Sequence, residues 1–360
     1  WGPKFNTTLL LLNIGNFSLG GSMTHCSFFL SYSVVLIALI FGLGGCSSTP
    51  DSSQESTGSS SSMLELPLPN SVKPVEVVHT GDYSEGVVID YDGNIYFSHS
   101  KVITIVAPDG TDRIWAETGE PNGHKILPDG THLVCDASHH AVLHLDASGK
   151  MLEPASKECE GKPLRGPNDL TLDPQGGFYF TDPGGLDASN PSDVSNPIGT
   201  IHYVDSSGKT HFVAGGLAYP NGIVITPDRK RLLVAESRKN RILLYELSSP
   251  GKVGPMQIFS ELPTKEGEQI DNQPDGICLD QAGNLYVAHY GMRQVQVLDP
   301  NGKIIRRYDG GNLTTSNCAF GGPQLNQLYV TGGSPGSLFR LELGVSGLEI
   351  RLKKQQNKGI

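Results

Sequence analysis

The chain has 360 residues, a formal net charge of −10 and only 18% charged residues, alongside 44 Gly and 24 Pro. So turn-rich and charge-poor a composition argues against long helices and for an all-β fold. No Lys/Arg-rich run stands out, so nucleic acid is not an expected partner.

Residues 1–22 read as an upstream segment. From Met23, "MTHCSFFLSYSVVLIALIFGLGGC" reads as a lipoprotein-type signal over 23–46. Its apolar run, Phe28 to Leu43, is short for a membrane span and suits a signal. Leu43-Gly44-Gly45-Cys46 resembles a bacterial lipoprotein box, although no Lys or Arg lies between Met23 and the apolar run. The expectation is an exported protein, periplasmic or membrane-anchored, lipidated at Cys46 and touching membrane only through that lipid. Residues 47–72 follow as a Ser-rich flexible linker; "SSTPDSSQESTGSSSS" has too little apolar content to offset its ordering entropy.

Residues 73–345 carry a repeat. Its copies are "EGVVIDYDGNIYF" from Glu85, "NGHKILPDGTHLV" from Asn122, "NDLTLDPQGGFYF" from Asn168, "NGIVITPDRKRLL" from Asn221, "DGICLDQAGNLYV" from Asp275 and "NCAFGGPQLNQLY" from Asn317. Each has a polar leading residue, an apolar strand, a turn and a second strand. A third strand, turn and fourth strand are clearest in "QVQVLDPNGKIIRRYD". Six such units predict a six-bladed β-propeller. A strand near Val75–Val78 is expected to close the ring, and 346–360 to form a polar tail.

In a propeller the first strand of each blade lines the central channel. The six leading residues, Glu85, Asn122, Asn168, Asn221, Asp275 and Asn317, therefore form a ring of side-chain oxygens. Two carboxylates and four amides suit a hard cation such as Ca²⁺. The absence of His and Cys from the ring argues against zinc or copper. Asn-Gly and Asp-Gly are also common turn dipeptides, but six positions in register, one of them Glu, favour a central cation site. Fourteen residues after the ring position, or fifteen in the fourth copy, stand His99, Asp136, Asp182, Glu236 and His289, expected at the rim of a polar pocket. Asn122, Asn168, Asp182 and His289 are the candidate substrate contacts. The insertion "PGGLDASNPSDVSNPIG" from Pro183 reads as a lid or a passive loop. His139 and His140 occupy a turn and lack metal-ligand spacing.

Six Cys occur, two of them in the leader. Cys135, Cys159, Cys278 and Cys318 form no C-x-x-C pair. Cys278 and Cys318 fall in apolar strands as buried thiols, and a Cys135–Cys159 pairing stays open. No nucleophile elbow, zincin, P-loop or Rossmann fingerprint occurs in a credible context.

The segments "LRGPNDLTLDPQGGFYFTDPGG", "YPNGIVITPDRKRLLVAES", "QPDGICLDQAGNLYVA" and "NCAFGGPQLNQLYVTGG" resemble the gluconolactonase branch of the senescence marker protein/regucalcin family, over roughly residues 80–342. The resemblance implies one divalent cation, usually calcium, with Zn²⁺, Mn²⁺ or Mg²⁺ as substitutes. Glu85, Asn221 and Asp275 would be its ligands, and Asn168 a ligand or a substrate contact. It also implies a calcium-dependent lactonase that hydrolyses a sugar lactone to its hydroxy acid. The metal would polarise the carbonyl, and Asp275 would be base or nucleophile. The related diisopropylfluorophosphatase has a second calcium site built on an Asp and a His. The corresponding residues here, Cys278 and Ala319, do not support it. The rivals are an ester or phosphotriester hydrolase of the same fold, a non-catalytic NHL-like binding propeller and a structural scaffold. Oligomeric state stays open.

Overall fold

The computed structural model describes residues 66–184, 189–264 and 272–348. The signal segment with Cys46, the linker up to 65, part of the Pro183 insertion and the tail from 349 lie outside them. Six antiparallel sheets follow one another along the chain. Their innermost strands are Ser84–Ile89, Pro121–Ile126, Leu170–Asp173, Pro220–Ile225, Gln273–Leu279 and Thr314–Gly321, defining blades 1 to 6. Blade 2 has three regular strands, and its outer edge is completed only by isolated bridges from Val142 to Ser156 and from Leu145 to Met151.

The strands form where apolar residues alternate and stop at Asp/Gly turns. In blade 5, Asp299 Oδ1 accepts the Asn301 N–H at 2.9 Å, and Gly302 adopts a φ of 84° while its N–H bonds Asp299 O. Asp146–Gly149 and Asp205–Gly208 repeat the device. Closure comes from Val75–His79, which pairs antiparallel with Ser337–Glu342 of blade 6.

The core is six slabs between blades. Cys278, Tyr286 and Val297 of blade 5 pack on Cys318, Phe320 and Leu341 of blade 6. Tyr96 and Trp115 of blade 1 pack on Val134 and Leu143 of blade 2. Every blade thus buries both faces, which explains why the strands carry so many fully apolar stretches.

Both ends of the described chain are docked. Leu68 N–H bonds Leu343 O at 3.0 Å, Arg306 Nε donates to Pro67 O, and Val72 packs on the seam between blades 5 and 6. The last part of the expected linker is therefore held to the propeller by the apolar run Leu66-Pro67-Leu68-Pro69. At the other end Leu348 N–H bonds Leu279 O, so the fold runs past 345.

Candidate metal centre

The inner strands bring the six leading residues to one end of the channel. In five of them the ladder register slips at that residue: between Glu85 and Val87, Pro121 and His124, Pro220 and Ile223, Pro274 and Ile277, and Thr315 and Cys318. A bulge adds one residue to a strand and re-aims a side chain. Here it frees the ring side chain from the alternation of its strand.

The glycine that follows four ring residues has a different role from the turn-forming one its dipeptide suggests. None of Gly86, Gly123, Gly222 and Gly276 has a positive φ. A Cβ on Gly86 would sit 1.8 Å from Asn122 O, one on Gly123 2.3 Å from Asp169 Oδ1, one on Gly222 2.3 Å from Asp275 O, and one on Gly276 2.4 Å from Asn317 Cγ. Each glycine lets one blade's ring residue press against the next blade.

Glu85, Asn168, Asn221, Asp275 and Asn317 are each 5–7% exposed, and Asn122 is half-buried. Glu85 Oε2, Asn168 Oδ1 and Asp275 Oδ1 are buried without any hydrogen-bond partner. Other ring groups are engaged. Tyr83 donates its hydroxyl to Glu85 Oε1 at 2.7 Å, Asn221 donates to Asp275, and Asn317 Oδ1 accepts the Cys318 N–H at 2.8 Å. Burial, then the charges of Glu85 and Asp169, hold the Asp275 carboxyl well above the usual range. Burial pushes Glu85 up to about 7, with Tyr83 opposing and Asp169 assisting. Buried, unpaired oxygens beside like charges are costly, and a bound cation removes that cost. The donor set is all oxygen, so it fits a hard divalent cation. Among the described residues no three His, Cys, Asp or Glu side chains gather as a metal cluster, which leaves the carboxylate–amide ring as the candidate.

Sequence reasoning missed two contributors. Asp169, 2% exposed, is a further buried carboxylate whose charge acts on Glu85 and Asp275 without joining them as a ligand cluster; burial raises its pKa, and the Lys125 ammonium opposes that rise. Its signal was the Asp in "NDLTLD" where four other copies have Gly. The second is an aromatic mouth. Tyr83 meets Tyr290 edge-on at 6.3 Å, and Arg238 lies 5.5 Å from the centre of the Tyr219 ring. Burial raises Tyr219 to about 12, assisted by the charges of Asp275 and Glu85.

The rim reading needs correction. Asp136 Oδ2 accepts the N–H groups of Gly119 and Glu120, Asp182 Oδ2 that of Arg165, and Glu236 Oε1 that of Ala218. In blades 2, 3 and 4 the rim carboxylate thus ties down the loop entering its own inner strand. Asp182 Oδ1 also takes the Gly184 N–H. His289 is fully buried, with Nε2 2.8 Å from Asn240 Oδ1 and Nδ1 2.5 Å from Gln296 Nε2. Asp182 and His289 therefore brace the scaffold instead of presenting free polar atoms to a substrate. His139 Nδ1 sits 2.9 Å from Asp136 Oδ1, and His140 Nδ1 bonds Arg165 O, so both are docked on the rim. Of the Pro183 insertion, Ser192 is placed against the mouth, its hydroxyl accepting the Tyr219 N–H at 3.1 Å.

The family model described as SMP-30/Gluconolactonase/LRE-like region matches residues 83–334. The gluconolactonase of Zymomonas mobilis is 27% identical over 272 residues, 69% of this chain and 76% of that one. The lactonase drp35 of Staphylococcus epidermidis is 34% identical over 254 residues, 67% of this chain and 72% of that one. A solved gluconolactonase from Xanthomonas campestris superposes with a TM-score of 0.65 at 25% identity, covering 76% of this chain and 90% of that one. The match spans all six ring positions, and the chain belongs to the SMP-30/Gluconolactonase/LRE-like family.

Proposed function

We propose that the chain is a metal-dependent lactonase, a hydrolase that opens a small cyclic ester to its hydroxy acid. The observation that carries the reading is the set of buried, unpartnered oxygens on Glu85, Asn168 and Asp275. The likeness to a gluconolactonase and to a lactonase supports the substrate class. Glu85, Asn168, Asn221 and Asp275 would hold the cation, Ca²⁺ in the first instance. When bound, it supplies Lewis-acid polarisation of the ester carbonyl.

The chain's own residues do the rest. Asn221 fixes the Asp275 carboxylate by donating to it, leaving Oδ1 free. Asp275 Oδ1 takes a proton from the attacking water and returns it to the leaving ring oxygen. Tyr83 holds Glu85 by one oxygen and leaves the other for the cation. Tyr83, Tyr219 and Tyr290 narrow access to bulk water. Asn168 and Asn122 are the ring amides placed to meet the substrate.

The test is a panel of lactones, simple esters and a phosphotriester, assayed with Ca²⁺ and with chelator. We expect chelator-sensitive hydrolysis confined to lactones, reduced about 10³-fold or more in kcat by Asp275→Asn. Full activity of Asp275→Asn, or activity only on the phosphotriester, overturns the reading. A flat panel would leave a binding propeller ahead.

A further inference from the structure

Two thiols that this chemistry does not use face each other beneath the ring. Cys278 stands three residues after Asp275 on the inner strand of blade 5, and Cys318 directly follows Asn317 on that of blade 6. Their sulfurs are 3.6 Å apart, and both side chains line a channel cavity of about 70 Å³. Both are free cysteines, 7% and 2% exposed. Among the described residues no other pair of sulfurs is in contact.

The two inner strands belong to separate sheets, so no ladder hydrogen bonds join them. Side-chain contacts close this seam, among them Cys318 Sγ donating to Gly276 O at 3.9 Å, and it is tight here: a Cβ on Gly276 would sit 2.4 Å from Asn317 Cγ. A disulfide has a sulfur–sulfur bond of about 2.05 Å. The sulfurs therefore need to close by roughly 1.5 Å, within reach of side-chain rotation and a slight strand adjustment.

We propose that Cys278 and Cys318 are a disulfide-forming pair whose bond staples blade 5 to blade 6 directly beneath the candidate metal ring. The oxidant is a low-molecular-weight disulfide. One cysteine sulfur, losing its proton, attacks it and forms a mixed disulfide, releasing one small thiol. The second sulfur, losing its proton, displaces the other small thiol and forms the protein S–S bond. Two cysteine thiols are oxidised, one small disulfide is reduced to two thiols, and both protons are accounted for. In the closed fold burial raises the Cys278 thiol pKa well above its ordinary value. Exchange therefore belongs to the folding stage, before the seam shuts, when the thiolate is accessible. Once formed, the bond is shielded by the same burial. The proposal is independent of the lactonase reading.

The full chain, unfolded and reduced, is refolded in a glutathione redox buffer and, in parallel, with excess reductant. Free thiols are then alkylated under denaturing conditions and the peptides mapped by mass spectrometry. We expect the redox-buffer sample to yield one cross-linked peptide pair containing Cys278 and Cys318, two hydrogens lighter than its parts. It should melt about 5 °C or more above the reduced sample, since the bond closes a 40-residue loop. Cys278→Ala should abolish both the cross-link and the shift. Alkylation of both Cys278 and Cys318 after oxidative refolding, or their pairing with other cysteines, overturns the proposal. A cross-link without a rise in melting temperature overturns the staple. The peptide map on the unmutated chain decides the matter even where Cys278→Ala does not fold.

Discussion

Tyr83 shows how one side chain sets the state of another. Its hydroxyl holds Glu85 Oε1, so the carboxylate offers a single free oxygen, Oε2, toward the channel. The residue is 43% exposed overall, but its hydroxyl faces the carboxylates; burial of that end and the charges of Glu85 and Asp275 raise the phenol well above its ordinary pKa, so it stays a donor. Outer partners of this kind orient a metal ligand, and their loss typically weakens metal affinity by about 10–100-fold. Tyr83→Phe should keep the fold and raise the calcium Kd by about tenfold in a calorimetric titration. An unchanged Kd would make the contact a packing detail. Asp275 was legible from the repeat because it shares its position with five other oxygen-bearing residues. Tyr83 was not, because only blades 1 and 4 place Tyr two residues before the ring, in Tyr83 and Tyr219.

At the scale of the strand, the inner edge of each blade is a bulge followed by a tight seam. Gly276→Ala puts a methyl group 2.4 Å from Asn317 Cγ, and Gly222→Ala puts one 2.3 Å from Asp275 O. Overpacking of this kind costs about 1–3 kcal/mol, more where backbone must move. Gly110→Ala is the control: its φ is +85°, but nothing lies within 4 Å. It should cost only about 1 kcal/mol, the price of left-handed backbone. Denaturant melts should show Gly222→Ala losing more stability than Gly110→Ala, and metal titration should show only the former losing affinity. Equal losses would mean the seam is slack. The repeat spacing gave away the strands because hydrophobic alternation and Asp/Gly turns are local signals. The function of Asn-Gly and Asp-Gly was hidden because a hairpin turn and a seam contact use the same dipeptide. The rim acids were misread for a similar reason. Asp136, Asp182 and Glu236 recur at close to the spacing of a pocket, but each accepts backbone N–H groups of the incoming loop, which no side-chain pattern announces, and Glu236 also pairs with Arg241 and Lys239 and Asp136 with His139.

For the whole molecule, acid stability follows from histidines buried neutral. Burial lowers His132 to about 4 and His289 to about 3. Asp90 and Asp129 oppose the shift at His132, whereas Arg307 reinforces it at His289. His132 pairs with His124, itself held well below its usual value, across a 2.7 Å hydrogen bond under Trp115. Above about pH 6.5 both folded and unfolded states are neutral at these sites. As pH falls below that, the unfolded chain takes up protons that the folded chain refuses, so stability drops until the folded pKa values are reached. Each group contributes at most about 1.4 kcal/mol per pH unit. The raised acids Glu85, Asp275 and Asp169 act in the opposite sense, so the histidine contribution is read by difference: between pH 6.5 and 4, urea-measured stability of His289→Gln should lose less per pH unit than that of the unmutated chain. A parallel curve for His289→Gln would remove His289 from the account.

The four seam glycines have one more consequence. Each limits the distance between neighbouring ring positions, Gly86 and Gly222 most directly against backbone oxygen, and the strand Val75–His79 closes the circle. The bore of the ring is therefore set by the main chain, while its charge is set by which side chains are acids and which are amides. These two properties can vary separately. Exchanging Asn for Asp around the circle would retune electrostatic preference at constant diameter, so descendants of this scaffold could change their ion or substrate without rebuilding the hoop that holds it.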